Sequence, residues 1–213
     1  MTSMFMTMIT YKRSPLALAV LALLIEAPMH PYRMQQLIKS RGKDQVINVR
    51  QRGSLYQTIE RLERDGLIAP ETVEREEGRP DRTVYGVTPV GRKVAIDWLR
   101  TMLAEPQNEF PEFPVALSFL GLVTPAETLP LLEARLGFLI GHERKLAADL
   151  ATYSAGLPRV LLLENEYMLA TTRAERQWVE AIIADIQSGE LDWGEAALRQ
   201  IARLLESEQQ KPG

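Results

Sequence analysis

Residues 52–88 read RGSLYQTIERLERDGLIAPETVEREEGRPDRTVYGVT, and this stretch decides the fold. Leu55, Ile59 and Leu62 recur at spacings of four and three, so they share one face of a helix over about 53–65. Asp65-Gly66 stops that helix. Leu67-Ile68 and residues 84–87 have the composition of short paired strands, and Gly78-Arg79-Pro80-Asp81-Arg82 between them is turn chemistry. Helix, turn, strand, charged tip and strand, in that order, predict a winged helix-turn-helix.

Upstream, Ser14-Pro15 is a helix start: serine caps well, and proline at the first helical position forfeits a hydrogen bond that was absent anyway. The helix that follows is apolar nearly all round, as a central core element is. Pro28 ends it, and Pro31 starts a second helix in which Tyr32, Met34, Leu37 and Ile38 are expected on the buried side. Gly42 suits a left-handed stop. Lys12 and Arg13 before the apolar run 16–25 imitate a signal peptide. The run is shorter than the roughly 20 residues that span a bilayer, and Glu26 stands where a small-residue cleavage site belongs. A buried first helix is therefore expected. Residues 1–10 read as a mobile tail, with Met4, Met6 and Met8 as alternatives to Met1 for the start.

The absence of cysteine excludes a disulfide framework, thiolate-bound zinc and thiol catalysis, and two histidines, His30 and His142, leave little for a metal site. The net charge of −3 conceals an asymmetry. Residues 11–104 carry 16 basic and 11 acidic side chains, whereas 105–213 carry 9 and 17. Contact with a polyanion is therefore expected of the first part.

On the helix over 53–65, Ser54, Tyr56, Gln57, Arg61 and Arg64 fall outside the apolar face. Gln57 can offer adenine a donor and an acceptor, and Arg52 can grip guanine or a phosphate. Arg79 and Arg82 flank the tip, within reach of a phosphate or a minor groove, although Glu76, Glu77 and Asp81 weaken the local field. With Lys39, Arg41, Lys43 and Arg50 they make a basic surface. A solvated face belongs to any three-helix core, so an interaction module without DNA binding stays open.

In PMHPYRMQQLI, GSLYQTIERLERDGLI and GRPDRTVYGVTPVGRK, in that order and spacing, the chain resembles the PadR family of winged helix-turn-helix transcriptional regulators over about residues 14–104. The resemblance implies that Ser54, Tyr56 and the wing arginines contact DNA. His30 matches a family motif position and is expected to cap the second helix or pack locally. The chain departs from the family at Pro31, where glycine is common, at Gln57, where proline or a small residue is common, and in the acidity of its wing.

Thr88-Pro89 opens a fourth helix reaching Pro106, with a stripe of Val90, Val94, Trp98, Met102 and Leu103. EPQNEFPEFP reads as a linker that buries Phe110 and Phe113. Thr124-Pro125-Ala126-Glu127 is a capping box. Two long helices are expected over 125–153 and 158–188, parted by Ser154-Ala155-Gly156. Leu129, Leu132, Leu136, Leu139, Leu146 and Leu150 form a seam on the first. Val160, Leu163, Tyr167, Thr171, Ala174, Trp178, Ile182 and Ile186 form one on the second.

Seams of this length predict an antiparallel pair docked on a second copy, with Leu132, Leu136, Leu139, Leu146, Tyr167, Trp178 and Ile182 in the dimer interface. The resemblance implies the same, since longer family members are dimers held by C-terminal helices. Trp98, Tyr167 and Trp178 could instead line a pocket for a small aromatic effector, the competing reading being ordinary packing. Gly189 can stop the last long helix, Leu191 and Trp193 anchor a short final one, and 207–213 reads as a disordered tail.

The carboxylates Glu164, Glu166, Glu175 and Glu180 beside Arg173 and Arg176 have the spacing of solvated helix pairs, and no nucleophile with a base or phosphate-binding glycine loop accompanies them. The expectation is a non-enzymatic, mainly α protein with a small β-wing, without cofactor or metal. It has a DNA-binding domain over 11–104 and a helical dimerisation domain over 105–206. It would act in the cytoplasm, away from membranes, as a homodimeric repressor on a near-palindromic double-stranded site.

Overall fold

The computed structural model describes residues 11–48, 52–74 and 82–194, without the side chains of Arg52, Val73 and Glu74. Readings that concern Arg50, the Arg52 side chain, the wing tip with Arg79, the tail 1–10 and everything after Gly194 lie outside the described residues. The chain divides into two compact units, Met1–Asn108 and Glu109–Gly213.

In the first unit the order is α1 (Pro15–Glu26), α2 (Pro31–Ser40), α3 (Arg52–Arg64), β1 (Ile68–Glu74), β2 (Arg82–Val87) and α4 (Pro89–Ala104). The caps follow the sequence. Ser14 Oγ accepts from the Ala17 amide at 3.1 Å, and His30 caps α2 through Nδ1, accepting from the Arg33 amide at 3.1 Å. Gly42 and Gly66, at φ +67° and +70°, supply the left-handed turns that end the neighbouring segments.

The core is built from Val20, Leu21 and Leu24 of α1, Met34 and Ile38 of α2, Leu55, Ile59 and Leu62 of α3, and Ala95 and Trp98 of α4, closed by Leu67 and Ile68. The two strands pair antiparallel, with Ile68 opposite Val87 and Glu74 opposite Arg82, and the register shifts between Pro70 and Thr72. Met29 joins the sheet by exchanging two 3.1 Å backbone hydrogen bonds with Tyr85.

Thr88 locks the sheet to α4. Its hydroxyl donates to the Gly66 carbonyl at 2.8 Å and accepts from the Gly91 amide at 3.0 Å. A Cβ on Gly91 would stand 1.9 Å from the Leu67 carbonyl oxygen, so no other residue fits there without displacing backbone.

Two core assignments are corrected. Tyr32, expected inside, is 51% exposed, because it stands on the first turn of α2 beside the sheet rather than over α1. On α4 the buried face is Gly91, Ala95 and Trp98, and Val90 and Leu103 face outward.

The second unit holds α5 (Glu112–Ser118), α6 (Pro125–Tyr153) and α7 (Leu163–Ser188). The stretch expected as a linker thus runs into a short helix, and of its two phenylalanines Phe113 packs on the core whereas Phe110, expected to be buried, is 86% exposed. The capping box is complete: Thr124 Oγ1 accepts from the Glu127 amide at 3.3 Å and Glu127 returns the bond to the Thr124 amide at 2.8 Å. Pro130 lies inside α6 without ending it. Residues Arg159–Leu161 form a 3-10 turn, so α7 begins later than the expected 158. Gly189 ends α7 at φ +79°, and the Trp193 indole donates to the Val123 carbonyl at 2.8 Å.

α6 and α7 pack as a hairpin whose core is Leu132, Leu139, Val179 and Ile183. This corrects the expected interface. Leu132, Leu139 and Leu146 are at most 5% exposed within one chain, so they hold the hairpin itself together. On α7 the buried face is Leu169, Thr172, Val179 and Ile183, turned about one residue from the expected seam, and Tyr167 stays 71% exposed. Ion pairs fix the register: Arg135 with Glu175, and Glu143 accepting from Arg173 at 2.8 Å and Arg176 at 2.7 Å. The hydrogen bond from Arg173, with help from Arg176 and against some desolvation, holds the Glu143 carboxyl below its ordinary value. No helix among the described residues is long and apolar enough to cross a membrane.

Candidate nucleic-acid interface

α3 carries two unlike faces. Leu55, Ile59 and Leu62 are at most 2% exposed and pin the helix to the core. Gly53, Tyr56, Gln57, Glu60, Glu63 and Arg64 are exposed, and Ser54, Thr58 and Arg61 are half-buried. The Tyr56 ring, half exposed, offers an apolar face and a hydroxyl. Gln57 beside it offers an amide donor and acceptor near the N-terminal end, where the helix's partial positive charge lies. Thr58 donates to the Ser54 carbonyl at 2.7 Å. The arrangement is a rigid rod with polar groups on its outer side, able to enter a groove.

The sheet flanks this helix. Tyr85 of β2 is partly buried, and its hydroxyl is pushed up in pKa by burial first, then by Glu63 and Glu60 of α3. Arg82, at the start of β2, sets its guanidinium carbon 5.9 Å from the centroid of the Tyr32 ring. Sequence reasoning missed Tyr32 because an aromatic residue next to a helix start reads as core.

The remaining expected contacts divide. Lys39 is exposed on the last turn of α2. Arg41 is already engaged, its guanidinium paired with Glu26 at 2.7 Å. Ser54, Tyr56, Gln57 and Arg61 lie together on α3 with Arg82 on the adjoining sheet.

The three aromatic residues considered for an effector are divided between the two units. Trp98 is 9% exposed inside the core of the first unit. Tyr167 and Trp178, eleven positions apart on α7, are about 16 Å apart along its axis. Trp178 meets Phe113 edge-on at 6.1 Å, and Arg135 lies over the other aromatic partner, 3.5 Å from the Phe113 centroid. An open groove of about 350 Å³ lies elsewhere on the hairpin, lined by Ile140, Glu143, Arg144, Ala147 and Arg176.

This architecture is similar to solved structures. Bacillus subtilis PadR in complex with operator DNA matches at TM-score 0.67 and 18% identity, over 83% of this chain and 99% of that one. The same protein in complex with p-coumaric acid matches at 0.63 and 19%, over 81% and 98%. The PadR-like transcriptional regulator BC1756 from Bacillus cereus matches at 0.60 and 16%, over 82% and 99%. No curated protein matches the chain. At these identities the structural likeness establishes the winged-helix fold, and over residues 20–96 the sequence matches the model of the Transcriptional regulator PadR-like family.

Proposed function

We propose that the chain is a sequence-specific DNA-binding transcriptional regulator, with α3 as the helix that enters the major groove. One observation carries the reading: Tyr56 and Gln57 stand exposed on a helix whose opposite face is fully committed to the core. The family domain and the operator-bound PadR of similar fold support it. Ser54, Tyr56, Gln57 and Arg61 face the groove, Lys39 and Arg82 reach the backbone, and Arg52 and Arg79 are assigned the same roles from sequence. Arg41 joins them only when it leaves Glu26.

A homodimer is part of the proposal. Because the hairpin buries leucines internally, the exposed apolar side chains among the described residues that a second copy could cover include Leu131, Phe138, Tyr167 and Trp178, 43–71% exposed. Two α3 helices would then meet successive grooves of a near-palindromic site, roughly 34 Å apart. Repression in the cytoplasm, relieved by a small aromatic effector, completes the reading; the PadR complex with p-coumaric acid supports the last element. With Trp98 committed to packing, Tyr167 and Trp178 remain as separate aromatic contacts for such a ligand.

The rival is a winged interaction module, favoured by the acidic Glu60 and Glu63 on the exposed side of α3. Fluorescence anisotropy on the DNA upstream of the chain's own gene and on a scrambled duplex, at two salt concentrations, separates the two. Preference for the native duplex with steep salt dependence supports the regulator. Weak, salt-insensitive binding to both supports the module.

A further inference from the structure

Tyr32 is an aromatic side chain that the winged core leaves outside, although Met34 and Ile38 on the same helix are buried. Its ring has two neighbours, His30 and Arg82. His30 lies nearly parallel to it, with centroids 6.2 Å apart and planes 17° apart. The His30 ring is itself oriented, because its Nδ1 accepts the Arg33 amide. From the sheet, Arg82 lies over the Tyr32 ring at 5.9 Å. Arg82 opens β2, paired in register with Glu74 at the last rung of the sheet.

We infer that Tyr32 is a positioning residue for nucleic-acid binding: it holds the Arg82 guanidinium at the start of β2, ready for a backbone phosphate, with His30 stacked near the ring. The inference rests on the DNA-binding reading. An arginine free to sample its rotamers loses that freedom when a phosphate fixes it, whereas one already drawn to an aromatic face loses less. The attraction is to the ring's π face, so N–H donors remain for phosphate oxygens. Arg41 marks the contrast, since its donors are spent on a carboxylate.

The test is a double-mutant cycle on the full chain, with a duplex enriched from a random library by the unmodified protein as the probe. Tyr32→Leu removes the ring, Tyr32→Phe keeps it, and Arg82→Ala removes the cation. Tyr32→Leu is expected to weaken binding about two- to fivefold. Its salt slope should shift toward that of Arg82→Ala, which falls by about 0.9. Tyr32→Phe should bind like the parent, and the double variant like Arg82→Ala alone. In the DNA-free protein, NMR of the Arg82 side chain should show a ring-current shift that Tyr32→Leu abolishes and Tyr32→Phe retains. Additive losses, an unchanged slope in Tyr32→Leu, or Arg82 resonances indifferent to Tyr32 would each overturn the inference. If the ring-current shift is present but the unmodified protein enriches no duplex, the DNA-binding reading has failed and takes the inference with it.

Discussion

Arg41 closes a two-pronged ion pair on Glu26, Nη1 to Oε1 at 2.7 Å and Nη2 to Oε2 at 2.8 Å, and so ties the end of α2 to the end of α1. The pair makes one of the basic side chains nearest the proposed interface a structural clasp rather than a free cation. The Arg41 hydrogen bond holds the Glu26 carboxyl below its ordinary value.

Glu26→Gln is therefore expected to act in two directions. Both partners are substantially exposed, so stability should fall by no more than about 1 kcal/mol in denaturant titrations. The released Arg41 should tighten DNA binding and steepen the salt slope by up to about 0.9. The stability difference also depends on pH. A lowered carboxyl pKa means that the folded chain binds fewer protons than the unfolded one, so the contribution is present at neutral pH. It is lost as pH falls through the carboxylate range, and parent and variant should converge there.

Gly91→Ala tests the joint between sheet and α4. Helix propensity alone favours alanine by about 1 kcal/mol. The new Cβ, however, would meet the Leu67 carbonyl oxygen at 1.9 Å and its carbon at 2.8 Å, both backbone atoms. Overpacking should win by about 2 kcal/mol or more, lowering the Tm of this unit by roughly 8 °C or more. A variant as stable as the parent would show that the joint is looser than described.

The hairpin and the proposed dimer can be separated by two substitutions. Leu146, 1% exposed within the chain, should cost about 2–5 kcal/mol on change to alanine, and the melting curve should show the loss at any protein concentration. Phe138 is 71% exposed and lies parallel to His142 with centroids 6.0 Å apart. Phe138→Glu should leave helix content intact and lower the sedimentation mass to one chain. A Phe138→Glu protein that sediments as a dimer would move the interface to another face.

The local signals in the sequence were strong where chemistry is local. Ser14-Pro15, Thr88-Pro89 and the Thr124–Glu127 box begin helices because each offers a side-chain oxygen to amides that no helix can satisfy. Leu55, Ile59 and Leu62 face the core as their spacing requires. What could not be read was which partner covers a periodic face. The leucines of α6 repeat in the same way whether α7 of the same chain or a second copy lies on them. Tyr32 was misread for the same reason, since its partner Arg82 comes from a separate segment. α5 escaped because seven residues, with Pro111 before them and Pro114 among them, give too short a window for a period to show.

The central claim is that the exposed side of α3 reads base edges. The most direct test is the ratio of affinities for the selected and scrambled duplexes, measured for the parent and for Gln57→Ala with Tyr56→Phe as a conservative partner. Gln57→Ala is expected to lose about 1–3 kcal/mol on the selected duplex, change little on the scrambled one, and keep its salt slope. A Gln57→Ala protein with the parent's ratio would place sequence recognition elsewhere and contradict the account.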